Sequence, residues 1–163
     1  MIPIYQCIYA ASQQILSSSF ISNYCLTNYN KQIKVYIGED VSNPPTEFDA
    51  PFVVLTPPLP AYDVGEGTFE RRPGFEMDWG VVAEKRVSND TSTLISYPGI
   101  QQSDELGMLL VAEMMDCFES GALQTANYSL DSGTRYPLFE GGVSIQLIFW
   151  NGLAFEPEVS GSI

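Results

Sequence analysis

Three carboxylates lie close together around two glycines in the segment DVGEGTFE, residues 63–70. Asp63, Glu66 and Glu70 offer the oxygen ligands that a hard cation such as Ca²⁺ prefers. Their spacing matches no EF-hand loop, and the same composition is typical of a solvated acidic loop. We therefore expect no metal site, and we keep a small carboxylate-based cation-binding module or enzyme as the alternative from another class.

A second group of side chains that could take part in catalysis follows directly in the sequence. Glu76 and Asp78 lie two residues apart, so in a strand they share one side, where two carboxylates can serve acid–base chemistry. The polar outer face of an antiparallel sheet gives the same pattern. Arg71 and Arg72 form a tight basic pair, which can bind an acidic patch on a partner or lie solvated in a loop.

Nucleophilic catalysis finds little support in this chain. It contains no histidine, which excludes Ser-His-Asp and Cys-His arrangements and removes the commonest metal ligand. Cys7, Cys25 and Cys117 show no CxxC spacing, so we expect reduced, packed thiols. We predict a protein that is not an enzyme and that has no catalytic residues and no cofactor.

The excess of acidic residues limits the classes of partner that the protein can bind. Twenty acidic and seven basic residues give a formal net charge of −13. Such a chain lacks the cations that bind a nucleic-acid backbone or an anionic membrane, and an acidic surface repels DNA at close range. A length of 163 residues predicts a single domain, 1–163, with a core large enough to need no metal or disulfide.

The elements in the first half follow from apolar spacing. A helix is expected from Pro3 to Ser18, where apolar residues recur every three or four positions. The Asn-rich residues 19–31 are expected to form a loop or a frayed second turn. Strands are predicted at 32–39 (QIKVYIGE) and 52–57 (FVVLTP), the second of them central. A long irregular loop, about 57–74, follows, and loops of this length are usually functional or disordered.

The second half begins with a predicted strand at 75–87, with a bulge at Gly80. A helix is expected from an N-cap at Ser103 to Gly121. Two strands, LQTANYSLD (123–131) and VSIQLIFW (143–150), close the chain. This order predicts an α+β fold with a short, mostly antiparallel sheet, two main helices packed on it and a long extended loop.

The last predicted strand leaves two large apolar residues on its outer side, Ile148 and Trp150, and Tyr36 lies outward on the first strand. Amphipathic aromatic residues outside a core often belong to an interface. Two explanations remain open: another subunit covers this side, or a helix packs on it.

The order of elements resembles the tail terminator proteins, also called tail completion proteins, of long-tailed bacteriophages. The similarity extends over nearly the whole chain as a pattern. It includes the N-terminal helix, the strands IKVYIGE and PFVVLTPP, the segment GFEMDWGVVAE, the helix SDELGMLLVAEMMDCFES and a closing pair of strands. The most suggestive piece is RYPLFEGGVSIQLIF, in which an aromatic lead-in with a proline runs into an amphipathic strand.

The resemblance implies a structural virion protein of the tail or neck that is assembled in the host cytoplasm. Its copies would form a hexameric ring on the head-proximal end of the tail tube, stop tube polymerisation and offer a docking surface to the head. The implied partners are further copies, the tail tube protein, the head or neck connector, and sheath or neck proteins. DNA would pass through the lumen without specific binding.

The resemblance also makes the long loop a contact element between neighbours, from Tyr62 to Pro73. With the outward pair of the last strand, the predicted interface residues are Tyr62, Phe69, Arg71, Arg72, Ile148 and Trp150. A head–tail joining or neck ring protein of similar fold, usually a dodecamer, is the alternative within virion proteins.

Overall fold

The computed structural model describes residues 4–57, 74–83, 87–88, 91, 93–118, 123–130, 137–147, 149–150 and 153–154. The described helices are α1 (Ile4–Ser17), α2 (Ser19–Tyr29) and α3 (Pro98–Cys117). The main sheet contains β1 (Lys34–Ile37), β2 (Phe52–Thr56), β3 (Gly74–Val82), β6 (Leu123–Leu130) and β7 (Leu138–Leu147). Two short pairs lie outside it, β4 (Val87–Ser88) with β5 (Ile95–Ser96), and β8 (Phe149–Trp150) with β9 (Leu153–Ala154).

The sheet has the strand order β1-β2-β3-β7-β6, so β1 and β6 are the two edges of the sheet that the described strands form. β1 runs parallel to β2, and the other neighbours are antiparallel. α1 packs over β1 and β2, and α3 packs over β3, β7 and β6, on the same face of the sheet. The predicted α+β fold with a mostly antiparallel sheet and helices on one face is confirmed.

The first helix is confirmed within a residue of its predicted ends. Ile8, Ala11 and Ile15 recur along one side and are buried against the sheet. Burying a large aliphatic side chain contributes roughly 1.5–3 kcal/mol, so this stripe holds α1 in place. The stripe packs into the same core as the following inward side chains of β2, β3 and β7: Val53, Leu55, Phe75, Met77, Trp79, Val81, Val143 and Ile145.

The prediction of a loop at 19–31 was wrong, because α2 occupies most of it. Ser18 caps this helix by accepting a hydrogen bond at Oγ from the Ile21 N–H. Asn30 ends it in the left-handed conformation, at φ 53°, and donates its N–H to the Leu26 carbonyl. Only Ile21 and Cys25 of α2 are buried, so its apolar signal in the sequence is weak.

α3 begins five residues before the predicted Ser103 cap. Tyr97 precedes the helix without a side-chain cap, and Pro98 occupies the first turn, where a missing N–H costs nothing. Ser103 instead lies inside the helix, where its carbonyl and its Oγ accept hydrogen bonds from the buried Trp79 Nε1–H at 2.8 and 3.1 Å. One side of α3 is apolar and faces the core, where Leu106, Leu110 and Met114 are fully buried.

β3 is a regular strand that ends earlier than predicted, at Val82. No bulge occurs at Gly80, which pairs in register with Phe52 on one side and with Glu140 on the other. Its inward and outward alternation is confirmed. The first strand is shorter than predicted, and Ile37 at its end is 41% exposed.

β7 starts at Leu138 and passes through Gly141 and Gly142, which had been assigned to the preceding turn. The two glycines lie at positions whose side chains would point to opposite faces of the sheet. A Cβ on Gly141 would lie 2.5 Å from the Trp79 ring, so the glycine makes room for a core side chain. The continuous strand predicted to reach position 150 was also wrong, since β7 ends at Leu147 and 149–150 pairs with 153–154.

Candidate functional site

Most of the predicted interface residues lie outside the part of the chain that the structure describes. These are Tyr62, Phe69, Arg71, Arg72 and Ile148. The acidic loop residues Asp63, Glu66 and Glu70 lie outside it as well. Trp150 lies in β8, paired with Leu153. The surfaces that the structure does describe are therefore the faces and edges of the sheet and the outer side of the helices.

The face of the sheet that turns away from the helices, called the outer face below, carries an apolar patch. Ala50, Phe52 and Val54 are buried there. Tyr36, Val82 and Leu138 pack against them. Tyr36, which the sequence placed outward, thus lies on the outer face but is partly buried by its neighbours.

Carboxylates occupy the rest of the outer face on β3. Glu76 is half-buried, and Asp78 lies between Val54 of β2 and Gly142 of β7 in the cross-strand register. The Asp78 Oδ1 atom lies where a side chain at Gly142 would stand. The Asp78 side chain is exposed as a whole, yet the lost hydration of its carboxylate, together with Glu76 and Glu39, raises its pKa to about 6.

This pair of carboxylates is the arrangement that the sequence predicted for β3. It lies on the open face of a sheet rather than in a pocket, which offers no enclosed position for a substrate. Within the described residues, no group of three acidic, histidine or cysteine side chains is placed to hold a metal ion. The arrangement can contribute negative charge to a surface, and nothing further follows from it.

The polar groups inside the helical layer have a structural role. Glu113 of α3 is buried and accepts hydrogen bonds from Gln14 Nε2 at 2.7 Å and from the Ser18 hydroxyl. Gln14 belongs to α1, and Ser18 caps α2. The Glu113 carboxylate of α3 therefore connects all three helices. The cysteines are buried and free, and burial raises the pKa of Cys25 and of Cys117 to about 12, so both stay as thiols.

The outer side of α1 carries an apolar stripe that the sequence analysis missed. Tyr5, Tyr9 and Leu16 are 62%, 48% and 55% exposed, and the two tyrosine rings stack with centroids 6.3 Å apart. The signal was present in the spacing, since positions 5, 9 and 16 fall on one side of a helix. It was hidden because α1 also has the stronger buried stripe on another side.

An open groove lies where α2 and α3 meet one end of the sheet. Tyr29, Pro98 and Pro137 supply apolar walls, and Lys31 and Glu47 also line the groove. Phe48, at its margin, is 81% exposed. Cationic, anionic and apolar side chains are mixed here, so the groove selects no single class of ligand.

Comparison with known proteins adds no assignment. A scan against models of protein families finds no family that matches this chain, and a search of curated proteins finds no similar sequence. Among the described helices, none combines the length and the apolar character that crossing a bilayer requires.

Proposed function

We propose that this protein is a structural ring protein of a phage tail. In this role its copies form a hexamer at the head-proximal end of the tail tube, end tube polymerisation and dock the head connector. The proposal rests on the resemblance of its element order to tail terminator proteins. It needs a protomer that is built for contact with copies and partners.

The observation that carries the proposal is the amount of large apolar surface on the described part of the folded chain. Val41 is 85% exposed, Phe48 81%, Phe20 71% and Met115 63%. Together with the stripe on α1, these side chains lie on several sides of the protomer. Single exposed apolar side chains are ordinary, whereas an exposed apolar patch is typical of proteins that bind other proteins, so the stripe of Tyr5, Tyr9 and Leu16 is the part of this surface that supports the proposal.

The net charge of −13 supports the same role. A ring of acidic protomers presents negative charge to DNA that crosses its lumen, so the DNA passes without sticking. The acidity is compatible with DNA passage and opposes DNA binding.

Two measurements test the proposal together. Mass photometry of the purified chain, alone and with tail tubes, should show a hexamer, and removal of its gene should give tubes of abnormal length. A persistent monomer combined with tubes of normal length would contradict the proposal. Subunit counts in electron-microscopy class averages separate it from the neck alternative, because twelve subunits instead of six would indicate a neck ring.

A further inference from the structure

The two edges of the main sheet have the properties of complementary contact surfaces. Two backbone hydrogen bonds show how β1 is held: Lys34 donates its N–H to the Pro51 carbonyl, and Gly38 donates its N–H to the Leu55 carbonyl. Successive residues of a strand turn their backbone groups to opposite sides, so Val35 and Ile37 turn theirs away from β2. Within the described chain no strand pairs with that side of β1.

The apolar stripe of α1 borders this open edge. Tyr5 lies nine residues, about two and a half turns, from Gln14, so the two point to opposite sides of α1. Gln14 faces α3 through Glu113. Since α1 lies over β1 while α3 lies over β7 and β6, Tyr5, Tyr9 and Leu16 face outward past the β1 edge. A strand added to β1 would find apolar side chains beside it.

The opposite edge, β6, has an unusual composition for an edge strand. Its sequence, LQTANYSL, contains no charged residue, no proline and no glycine. Proteins usually protect edge strands with charges or proline, because unpaired backbone groups invite strand addition. The regular part of β6, Leu123–Ala126, precedes a register shift and has the same length as β1.

The polarity of the two edges fits a repeating assembly. β1 and β2 run one way, β3 runs the other way, and the antiparallel steps to β7 and β6 leave β6 opposite to β1. When one copy follows another in the same orientation, β6 of the first and β1 of the second therefore meet as antiparallel strands. Contacts of this head-to-tail kind form rings when the rotation between successive copies closes.

We infer that β6 of one copy binds the open edge of β1 in the next copy as an antiparallel strand, with the α1 stripe covering the junction. The inference rests on the proposed ring and names the surfaces that build it. Main-chain hydrogen bonds to two residues of β1 are few, and the apolar contact with Tyr5, Tyr9 and Leu16 supplements them. Strand addition of this kind is a common mode of protein recognition.

Hydrogen exchange at single-residue resolution on the full chain tests the pairing directly. In dilute monomer the amides of Val35 and Ile37 should exchange rapidly, and assembly should slow both by at least roughly tenfold. Tyr36, whose amide bonds within the protomer, should be protected in both states. Among residues 123–126, the alternate amides that turn away from β7 should gain protection on assembly as well.

A matched pair of variants separates the contribution of the backbone N–H to assembly from that of the side chain. Ile37→Pro removes an N–H that points to the open edge, a position where an edge strand accepts proline, so the monomer should fold with an unchanged circular dichroism spectrum. Assembly should then need at least about a tenfold higher concentration. Ile37→Ala keeps the N–H and should weaken assembly less.

The outcomes distinguish this inference from the proposed function. A ring that forms while Val35 and Ile37 still exchange rapidly, or while residues 123–126 gain no protection, overturns the strand pairing and leaves the ring intact. Equal loss of assembly in both Ile37 variants also overturns it. A chain that never assembles, even on tail tubes, removes the proposed function itself.

Discussion

The inner face of the sheet, which the helices cover, and the outer face are built from the same strands under different constraints. On the inner face Trp79 fits over Gly141, and its N–H is satisfied by Ser103. On the outer face an apolar patch lies beside the carboxylates of Glu76 and Asp78. The inner face determines the fold, because close packing leaves each side chain there a single position. On the outer face Asp78 is exposed, so a new side chain beside it meets atoms that can move.

Gly141 and Gly142 offer the sharpest test of this difference, because they are neighbours on opposite faces. Both have backbone angles that any residue can adopt, so only the space around the new Cβ matters. Gly141→Ala pushes against a buried ring that cannot move away and should lower the free energy of unfolding by about 3 kcal/mol. Gly142→Ala meets an exposed carboxylate that can rotate and should cost less than about 1 kcal/mol.

Urea denaturation of both variants measures the two costs. Gly142→Ala is the control for the general effect of placing a side chain in this strand. Equal losses in the two variants would contradict the contrast between the faces, since they would show that the outer face is packed as tightly as the inner one.

The buried acid Glu113 is the polar exception on the helix-covered side. Glu113→Gln replaces one acceptor oxygen with an NH₂ group, and when this group faces Ser18 the hydroxyl must accept a hydrogen bond instead of donating one. We expect a loss of about 1 kcal/mol, because hydrogen bonds to a neutral amide contribute less than hydrogen bonds to a carboxylate. Thermal unfolding monitored by circular dichroism measures the loss.

Asp116→Asn, on the exposed side of the same helix, is the matched control and should change the free energy of unfolding by less than about 0.5 kcal/mol. If Glu113→Gln changed the free energy of unfolding as little as this control, the carboxylate would not join the three helices as described.

The inner face was also the part that the sequence predicted best. The apolar alternation of β3 and the stripes of α1 and α3 follow directly from burial, so those elements were found. α2 was missed because two buried residues make a weak pattern, and its asparagines suggested a loop although Asn30 only ends the helix. The start of α3 was predicted too late in the chain, because Ser103 has the residue type of an N-cap but accepts a hydrogen bond from Trp79 instead.

The candidate site was less predictable for a physical reason. An interface is formed by side chains that a monomer leaves exposed, and the spacing of such side chains is hard to recognise when a stronger buried stripe shares the helix. Tyr5 and Tyr9 illustrate this on α1. The predicted contacts of the 57–74 loop depend on residues outside the described chain, and they stay predictions.

The smallest expected effect concerns Asp78 on the outer face, whose pKa of about 6 lies above the ordinary value of 3.8. Between these two values the folded chain holds more protons than the unfolded chain, so this group lowers stability as the pH rises from about 4 to about 6. Asp78→Asn removes the titration. The variant should match the wild type near pH 4 and exceed its stability at pH 7, by less than about 1 kcal/mol because the side chain is exposed.

Urea midpoints at several pH values between 4 and 7 measure this difference. Ser144→Asn places the same amide on the neighbouring strand of the outer face without removing a charge, so it should keep the pH dependence of the wild type. A gain from Asp78→Asn that is equal at every pH would mean that packing, and not the charge, sets the cost. In that case the outer face would share the steric constraints of the inner face, and the contrast between the two faces would reduce to their polarity.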